Sequence, residues 1–156
     1  MSSKARTSHS VGLKYGFRSG LEGDISKQLE RGGHRVIYEE LVIPWEEHKF
    51  RKYTPDFLLP NGIIIESKGR FVTADRQKHL AIKKQYPELD IRFVFSRSAS
   101  RISKTSKTTY AKWCTTKGFQ YADKAIPGPW LAEPPEEGRI AAVRALFENS
   151  GKDCPI

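Results

Sequence analysis

The sequence predicts an α/β chain, and three observations carry that reading. Leu21, Ile25 and Leu29 recur every four residues, the spacing of an amphipathic helix. Phe57-Leu58-Leu59 and Ile63-Ile64-Ile65 flank Pro60-Asn61-Gly62, the pattern of a β-hairpin. Residues 90–96 alternate like a strand, with helical stretches on either side. At 156 residues the chain is long enough for one domain with a single core.

The elements follow in order. Residues 1–16 hold Ser, Lys, Arg and Gly with little apolar content and predict a disordered basic arm. Lys4, Arg6, Lys14 and Arg18 precede the first acid, Glu22; an arm that orders on DNA and a plain loose terminus both fit. Ser19 can cap the first helix and Gly32-Gly33 can end it. Glu22, three residues after Ser19, completes a capping box, a structural role that competes with any chemical one. His34 to Ile43 reads as extended, interrupted at Pro44-Trp45, and is either an edge element or a core strand. Glu46 to Lys49 is a polar turn or strand end.

After the hairpin, Thr73 can cap a basic helix from Ala74 to Tyr86, whose Arg76 could meet phosphate or solvent. In the strand 90–96, Ile91, Phe93 and Phe95 share one face, and Arg92, Val94 and Ser96 the other. Residues 96–109 carry Arg97, Arg101, Lys104 and Lys107, many hydroxyls and no acid. That composition suits a loop that follows phosphates, though a Ser-rich linker would share it. Tyr110 to Lys117 predicts a short helix ended by Gly118, and Phe119 and Tyr121 begin a last extended piece. Ile126-Pro-Gly-Pro-Trp130 reads as a rigid turn, residues 133–138 as a linker, and Arg139 to Phe147 as a short helix. The expected organisation is an arm over 1–16, a body over 17–132 and an acidic tail over 133–156.

Charge narrows the function. The chain is +9 overall, but residues 133–156 hold five acids against three bases, so the first 132 residues carry +11. A basic body of that kind suits a polyanion, most often nucleic acid. No apolar run is long enough to cross a membrane, and the polar N-terminus is not a secretory signal. Cys114 and Cys154 form no ligand spacing and no disulfide framework, consistent with a reducing cytoplasm.

The chemistry concentrates in the hairpin. A two-residue loop at Asn61-Gly62 would set Asp56 opposite Ser67. A three-residue loop with Gly62 left-handed pairs Leu59 with Ile63 and sets Asp56 opposite Glu66, with Lys68 on the same side. The second turn matches the residues better, and it brings two carboxylates and an amine together. Adjacent carboxylates repel unless a cation lies between them. Oxygen donors without His or Cys suit magnesium or manganese. An exposed hairpin face with an ordinary Glu-Lys pair is the plainer reading.

Pro55-Asp56, nine intervening residues and Glu66-Ser-Lys68 resemble the core of the restriction-endonuclease-like nucleases. Phe17-Arg-Ser-Gly-Leu-Glu22, Tyr38-Glu-Glu40, Tyr53 to Gly62, Glu66 to Gly69, Lys78-His-Leu80, Tyr86 to Arg92, Ala122-Asp-Lys124 and Ile126-Pro127 together resemble the bacteriophage endonuclease I family of Holliday-junction resolvases, over about 110 residues in one order. The resemblance implies a mixed sheet flanked by helices in a domain-swapped homodimer, with a bridging strand near Tyr38 to Trp45. It implies two metal ions per site, held by Glu22, Asp56, Glu66 and the backbone carbonyl of Ser67, with Asp56 shared and Lys68 catalytic. It also implies a structure-selective DNA endonuclease that leaves 5′-phosphates at four-way junctions and works in the cytoplasm of an infected bacterium, with no membrane and no small-molecule cofactor. The family tends to end in a basic tail, whereas this chain ends acidic, and residues 46–52 also depart from it. The rival readings are a mismatch-nicking or restriction-type nuclease and a non-catalytic protein that binds branched DNA.

Overall fold

The computed structural model describes residues 19–46 and 50–156. The basic arm, Arg18 and the link 47–49 lie outside the described residues. Helix α1 spans Gly20–Arg31, and the Ser19 hydroxyl caps it by accepting from the Glu22 amide at 3.2 Å. Its Ile25 and Leu29 are fully buried. The predicted strand from His34 is largely irregular. Only Tyr38 bridges to Phe57, where the Leu58 amide donates to Ile37 and the Glu39 amide donates to Asp56, at 3.0 and 2.9 Å. Glu39 then takes φ 51°, a left-handed conformation that stops a ladder from continuing.

Strand β1 (Ile43–Glu46) pairs antiparallel with β2 (Phe50–Tyr53) as a separate two-stranded sheet. Pro44, expected to interrupt the chain, sits inside β1 with its side chain exposed. β1 is bonded only to β2, so a residue without an amide hydrogen is tolerated there.

The main sheet has the order β3-β4-β5-β6, from Phe57–Leu58, Ile64–Lys68, Ile91–Phe95 and Tyr121–Asp123. β3 and β4 are antiparallel, whereas β4-β5 and β5-β6 are parallel, so the architecture is mixed α/β. The parallel steps need crossovers, supplied by α2 (Thr73–Gln85) and α3 (Tyr110–Lys117). Thr73 is the first residue of α2 and not its cap, which is Val72. All five residues of β5 are buried, because layers cover both faces of this central strand. Ile65 and Val94 pack with α1, Phe93 and Phe95 with α3, and Leu58 and Ile64 with α5. The turn expected at 126–130 becomes a short helix, α4 (Gly128–Ala132), with Pro127 fixing its entry.

The acidic C-terminal residues contain helix α5 (Glu137–Asn149), and it is built into the core. Val143, Leu146 and Phe147 are buried in the cluster that holds Ile43, Trp45, Tyr53 and Leu58. Each such side chain contributes roughly 1.5–3 kcal/mol by leaving water. One acid of this region, Glu133, meets buried cations. Glu133 pairs with Arg92 at 2.8 Å and with Arg139 at 3.1 Å, and Asp90 is shared by the same two arginines. The Arg92 and Arg139 guanidinium groups hold Glu133 down to about 2.

Candidate active site

The hairpin turn sets the site. The Gly62 amide donates to Leu59 at 2.9 Å and the Leu59 amide to Ile63 at 2.8 Å, with Gly62 at φ 91°. This is the three-residue turn, and Gly supplies the left-handed backbone that it needs. The ladder pairs Leu58 with Ile64 and Phe57 with Ile65. One step further, Asp56 faces Glu66. Asn61 pins the turn from outside. Its amide donates to the carbonyls of Trp130 and Glu133, each at 2.9 Å, and its own carbonyl accepts from Arg139 at 2.9 Å.

Glu22, Asp56 and Glu66 are all nearly inaccessible, at 6%, 5% and 5% exposure. Glu22, Glu39 and Asp56 each place a carboxylate oxygen within 4.8 Å of the others. Glu66, across the hairpin from Asp56, pairs with Lys68 at 3.5 Å. Lys68 also meets Asp75, in the first turn of α2, at 3.4 Å. Asp56 is therefore the shared member of two carboxylate groups. Its Oδ2 accepts both the amide and the hydroxyl of Ser67, at 2.8 and 2.7 Å. A strand residue points its amide and its carbonyl to the same edge, so the Ser67 carbonyl also lies on the Asp56 side. Two phenols complete the arrangement: Tyr38 donates to Glu22 Oε2 and Tyr53 donates to Glu66 Oε2.

This much buried charge perturbs the site. Burial, then the charges of Glu66 and Glu22, push the Asp56 carboxyl up to about 8 against the two bonds from Ser67. Burial also raises Glu66, although Lys68 and Tyr53 oppose it. Burial works against the Lys68 charge, but Glu66 and Asp75 outweigh it and hold the ammonium above its ordinary value. The donors are carboxylate oxygens with a main-chain carbonyl beside them. An excess of buried negative charge and an all-oxygen donor set fit a hard divalent cation. His79 packs edge-on against the Tyr53 ring, and among the described residues the clustered metal-ligand candidates are carboxylates alone.

The sequence-selected cations divide. Arg97, Arg101, Lys104 and Lys107 are exposed on the loop 96–109. Ser98 anchors that loop by donating its amide and hydroxyl to Asp123 at 2.6 and 2.7 Å, and Arg101 bridges Thr109 across it. The loop is thus an ordered arc and not a loose linker. Arg76 is buried, and its guanidinium donates to the Phe71 carbonyl and the Thr73 hydroxyl. It braces the entry to α2. Arg18 lies outside the described residues.

Comparison with known proteins gives the family. The family model for phage endonuclease I matches residues 1–150. The chain belongs to the phage endonuclease I family. It is 52% identical over 125 residues to Endonuclease I of Escherichia phage T7, covering 78% of this chain and 82% of that protein. It is 53% identical over 125 residues to Endodeoxyribonuclease 1 of Enterobacteria phage T3, covering 78% and 80% respectively.

Sequence reasoning about this family member missed Glu39, Tyr38, Tyr53 and Asp75. Tyr38-Glu39-Glu40 stood within the family pattern, and two polar residues between apolar runs were a usable signal. The left-handed turn that swings Glu39 toward Asp56 had none, because no Gly or Asn marks it.

Proposed function

We propose that this endodeoxyribonuclease resolves four-way DNA junctions and other branched DNA by paired nicks that leave 5′-phosphates. The observation that carries the proposal is the buried group of Glu22, Asp56 and Glu66 beside a charged Lys68, on a body with an exposed basic arc. A protein that only bound DNA would gain nothing from carboxylates facing a phosphate.

Glu22, Asp56, Glu66 and the Ser67 carbonyl would hold two divalent cations, magnesium or manganese, with Asp56 between them. Bound there, such cations supply Lewis acidity toward the scissile phosphate and a nucleophile at neutral pH. The chain's own groups do the rest. Lys68, kept protonated by Glu66 and Asp75, offsets charge that develops on the phosphate. Ser67 fixes the Asp56 carboxylate through two bonds to one oxygen. Arg97, Arg101, Lys104 and Lys107 grip the backbone, which carries no sequence information, so binding should fall steeply with salt and depend little on sequence.

A restriction-endonuclease-like fold acting as a homodimer would present two such sites at a fixed angle, as paired nicks require. Glu22 and Asp56 meet within one chain. Exchange of α1 and β1 between subunits would make the same contacts across the dimer. The place of action would be the cytoplasm of the infected bacterium. Among the described residues no helix is long and apolar enough to cross a membrane.

The test uses an end-labelled four-way junction and a linear duplex of the same sequence, each with magnesium or EDTA, alongside Asp56→Ala. Magnesium-dependent paired nicks at the branch, absent from the duplex and from the variant, are expected. Equal cutting of the duplex would leave a nuclease without junction selectivity. Binding without cleavage under either metal would overturn the enzymatic reading. Sedimentation of the free protein at half the expected dimer mass would overturn the dimer.

A further inference from the structure

Each of the outer two carboxylates accepts a hydrogen bond from a phenol. Tyr53, the last residue of β2, is buried and donates to Glu66 Oε2. Tyr38, at the bridge to Phe57, donates to Glu22 Oε2. The two rings are held differently. Tyr53 meets His79 edge-on at 5.0 Å, with the Lys78 ammonium 4.8 Å above its ring, while Tyr38 tilts against Phe57 at 5.1 Å. Asp56, between the two carboxylates, is held instead by Ser67. So three carboxylates from three segments are each fixed at one oxygen by an uncharged donor.

An arginine or lysine in these places would orient the carboxylates equally well, but it would also cancel their charge. A phenol orients without neutralising. In both bonds the phenol O–H is the donor and the carboxylate oxygen the acceptor. Outer donors of this kind set the direction of a ligand oxygen, and their loss typically costs a site 10–100-fold in metal affinity.

We propose that Tyr38 and Tyr53 are positioning residues that aim the Glu22 and Glu66 carboxylates at the cation site around Asp56. The inference rests on the metal-site reading given above. It assigns the two hydroxyls no contact with DNA and no proton transfer. Tyr53 serves the Glu66 side of Asp56 and Tyr38 the Glu22 side, so their losses should weaken the two halves separately.

The test compares wild type, Tyr53→Phe, Tyr38→Phe and Asp56→Ala as full-length proteins. Each variant to Phe keeps the ring and its packing and removes only the donor. Manganese binding is measured on the protein alone, by calorimetry and by the spin resonance of the free ion. Cleavage of a four-way junction is titrated with magnesium, and junction binding is measured in EDTA. Both Phe variants should bind manganese about tenfold or more weakly. They should need correspondingly more magnesium for half-maximal cleavage, approach the wild-type rate at saturation, and bind junctions in EDTA as wild type does. A purely structural hydroxyl would lower the melting temperature and leave the magnesium midpoint in place, and that result would overturn the proposal. If Asp56→Ala loses manganese while both Phe variants bind it as wild type does, the positioning role fails and the metal site stands. If wild type binds no manganese, or Asp56→Ala binds it normally, the metal reading fails and this inference fails with it. Should Tyr53→Phe fail to fold, Tyr38→Phe decides alone, because its ring is half-exposed and lies on a different segment.

Discussion

Asp56→Asn should make the metal-free protein more stable, and the gain should grow with pH. Asn is nearly the same shape, and its amide oxygen can still accept from the Ser67 amide and hydroxyl, so packing and those bonds survive. What goes is a carboxylate beside Glu66 and Glu22. The folded protein raises this carboxyl from 3.8 to about 8. Between those values the unfolded chain has released the proton and the folded chain still holds it. A rise in pH therefore favours unfolding across that window, by at most about 1.4 kcal/mol per pH unit. At pH 7 the ceiling is about 4 kcal/mol; relaxation and water entry reduce it, and about 2 kcal/mol is a reasonable expectation. For a chain of this size that corresponds to a rise of roughly 4–8 °C in melting temperature. The assay is thermal unfolding of both proteins in EDTA at several pH values from 5 to 8.5. The gap between the two curves should widen with pH and level off above about 8. Added magnesium should then raise the wild type, by about 2.7 kcal/mol at a hundred times the dissociation constant, and leave the variant where it was. A variant that melts at or below wild type, with a constant gap across pH, would refute the claim that Asp56 carries uncompensated charge.

The other expectations are more local. Glu22→Gln keeps the amide that donates to Ser19, so its melting temperature should stay within a few degrees while junction cleavage falls by about a hundredfold or more; normal cleavage with a lower melting point would reduce Glu22 to a capping residue. Gly62→Ala forces an alanine into φ 91° and puts its Cβ 2.9 Å from Ile140 Cδ1 and 3.1 Å from Arg139 Cγ, so denaturant unfolding should show a loss of about 2–3 kcal/mol. Arg139→Ala strips the turn carbonyl of Asn61, Asp90 and Glu133 of a shared donor and should cost about 3 kcal/mol, with cleavage reduced because the hairpin register loosens. Equal stability for that last variant would mean that α5 only covers the core and does not brace the site.

The hairpin was legible because its information is local. Pro60-Asn61-Gly62 admits one well-matched turn, and once the turn is set, counting along two strands places Asp56, Glu66 and Lys68 together. Helix α1 was legible for the same reason, in its four-residue spacing and its Ser19 cap. Charge counting does not show where side chains turn inward. Arg76 belongs to a run of basic residues, yet its guanidinium is consumed by Phe71 and Thr73. Residues 133–156 read as an acidic tail with a short helix; in the structure Glu133 answers Arg92 and Arg139, and the apolar residues of α5 join the core. The Glu133–Arg92 pairing spans 41 residues of sequence and leaves no trace in a window of ten. Glu39 was hidden by backbone geometry, and the two phenols by tertiary placement.

These long-range contacts matter to the chemistry because the site is unfavourable in isolation. Three buried carboxylates repel, and the hairpin's own restraint on Asp56 is the pair of bonds from Ser67. The main sheet fixes Glu66 through the parallel ladder with β5, where Glu66 pairs with Phe93. Asn61 and Arg139 fix the turn, and the Ser19 cap fixes the helix end that delivers Glu22. Rigidity supplied from outside the cluster permits donors inside it that are neutral, Tyr38, Tyr53 and Ser67. Lys68 is divided between Glu66 and Asp75, so it offsets only part of their charge. The scaffold thereby holds negative charge in place without cancelling it, and a divalent cation is the partner such an arrangement favours.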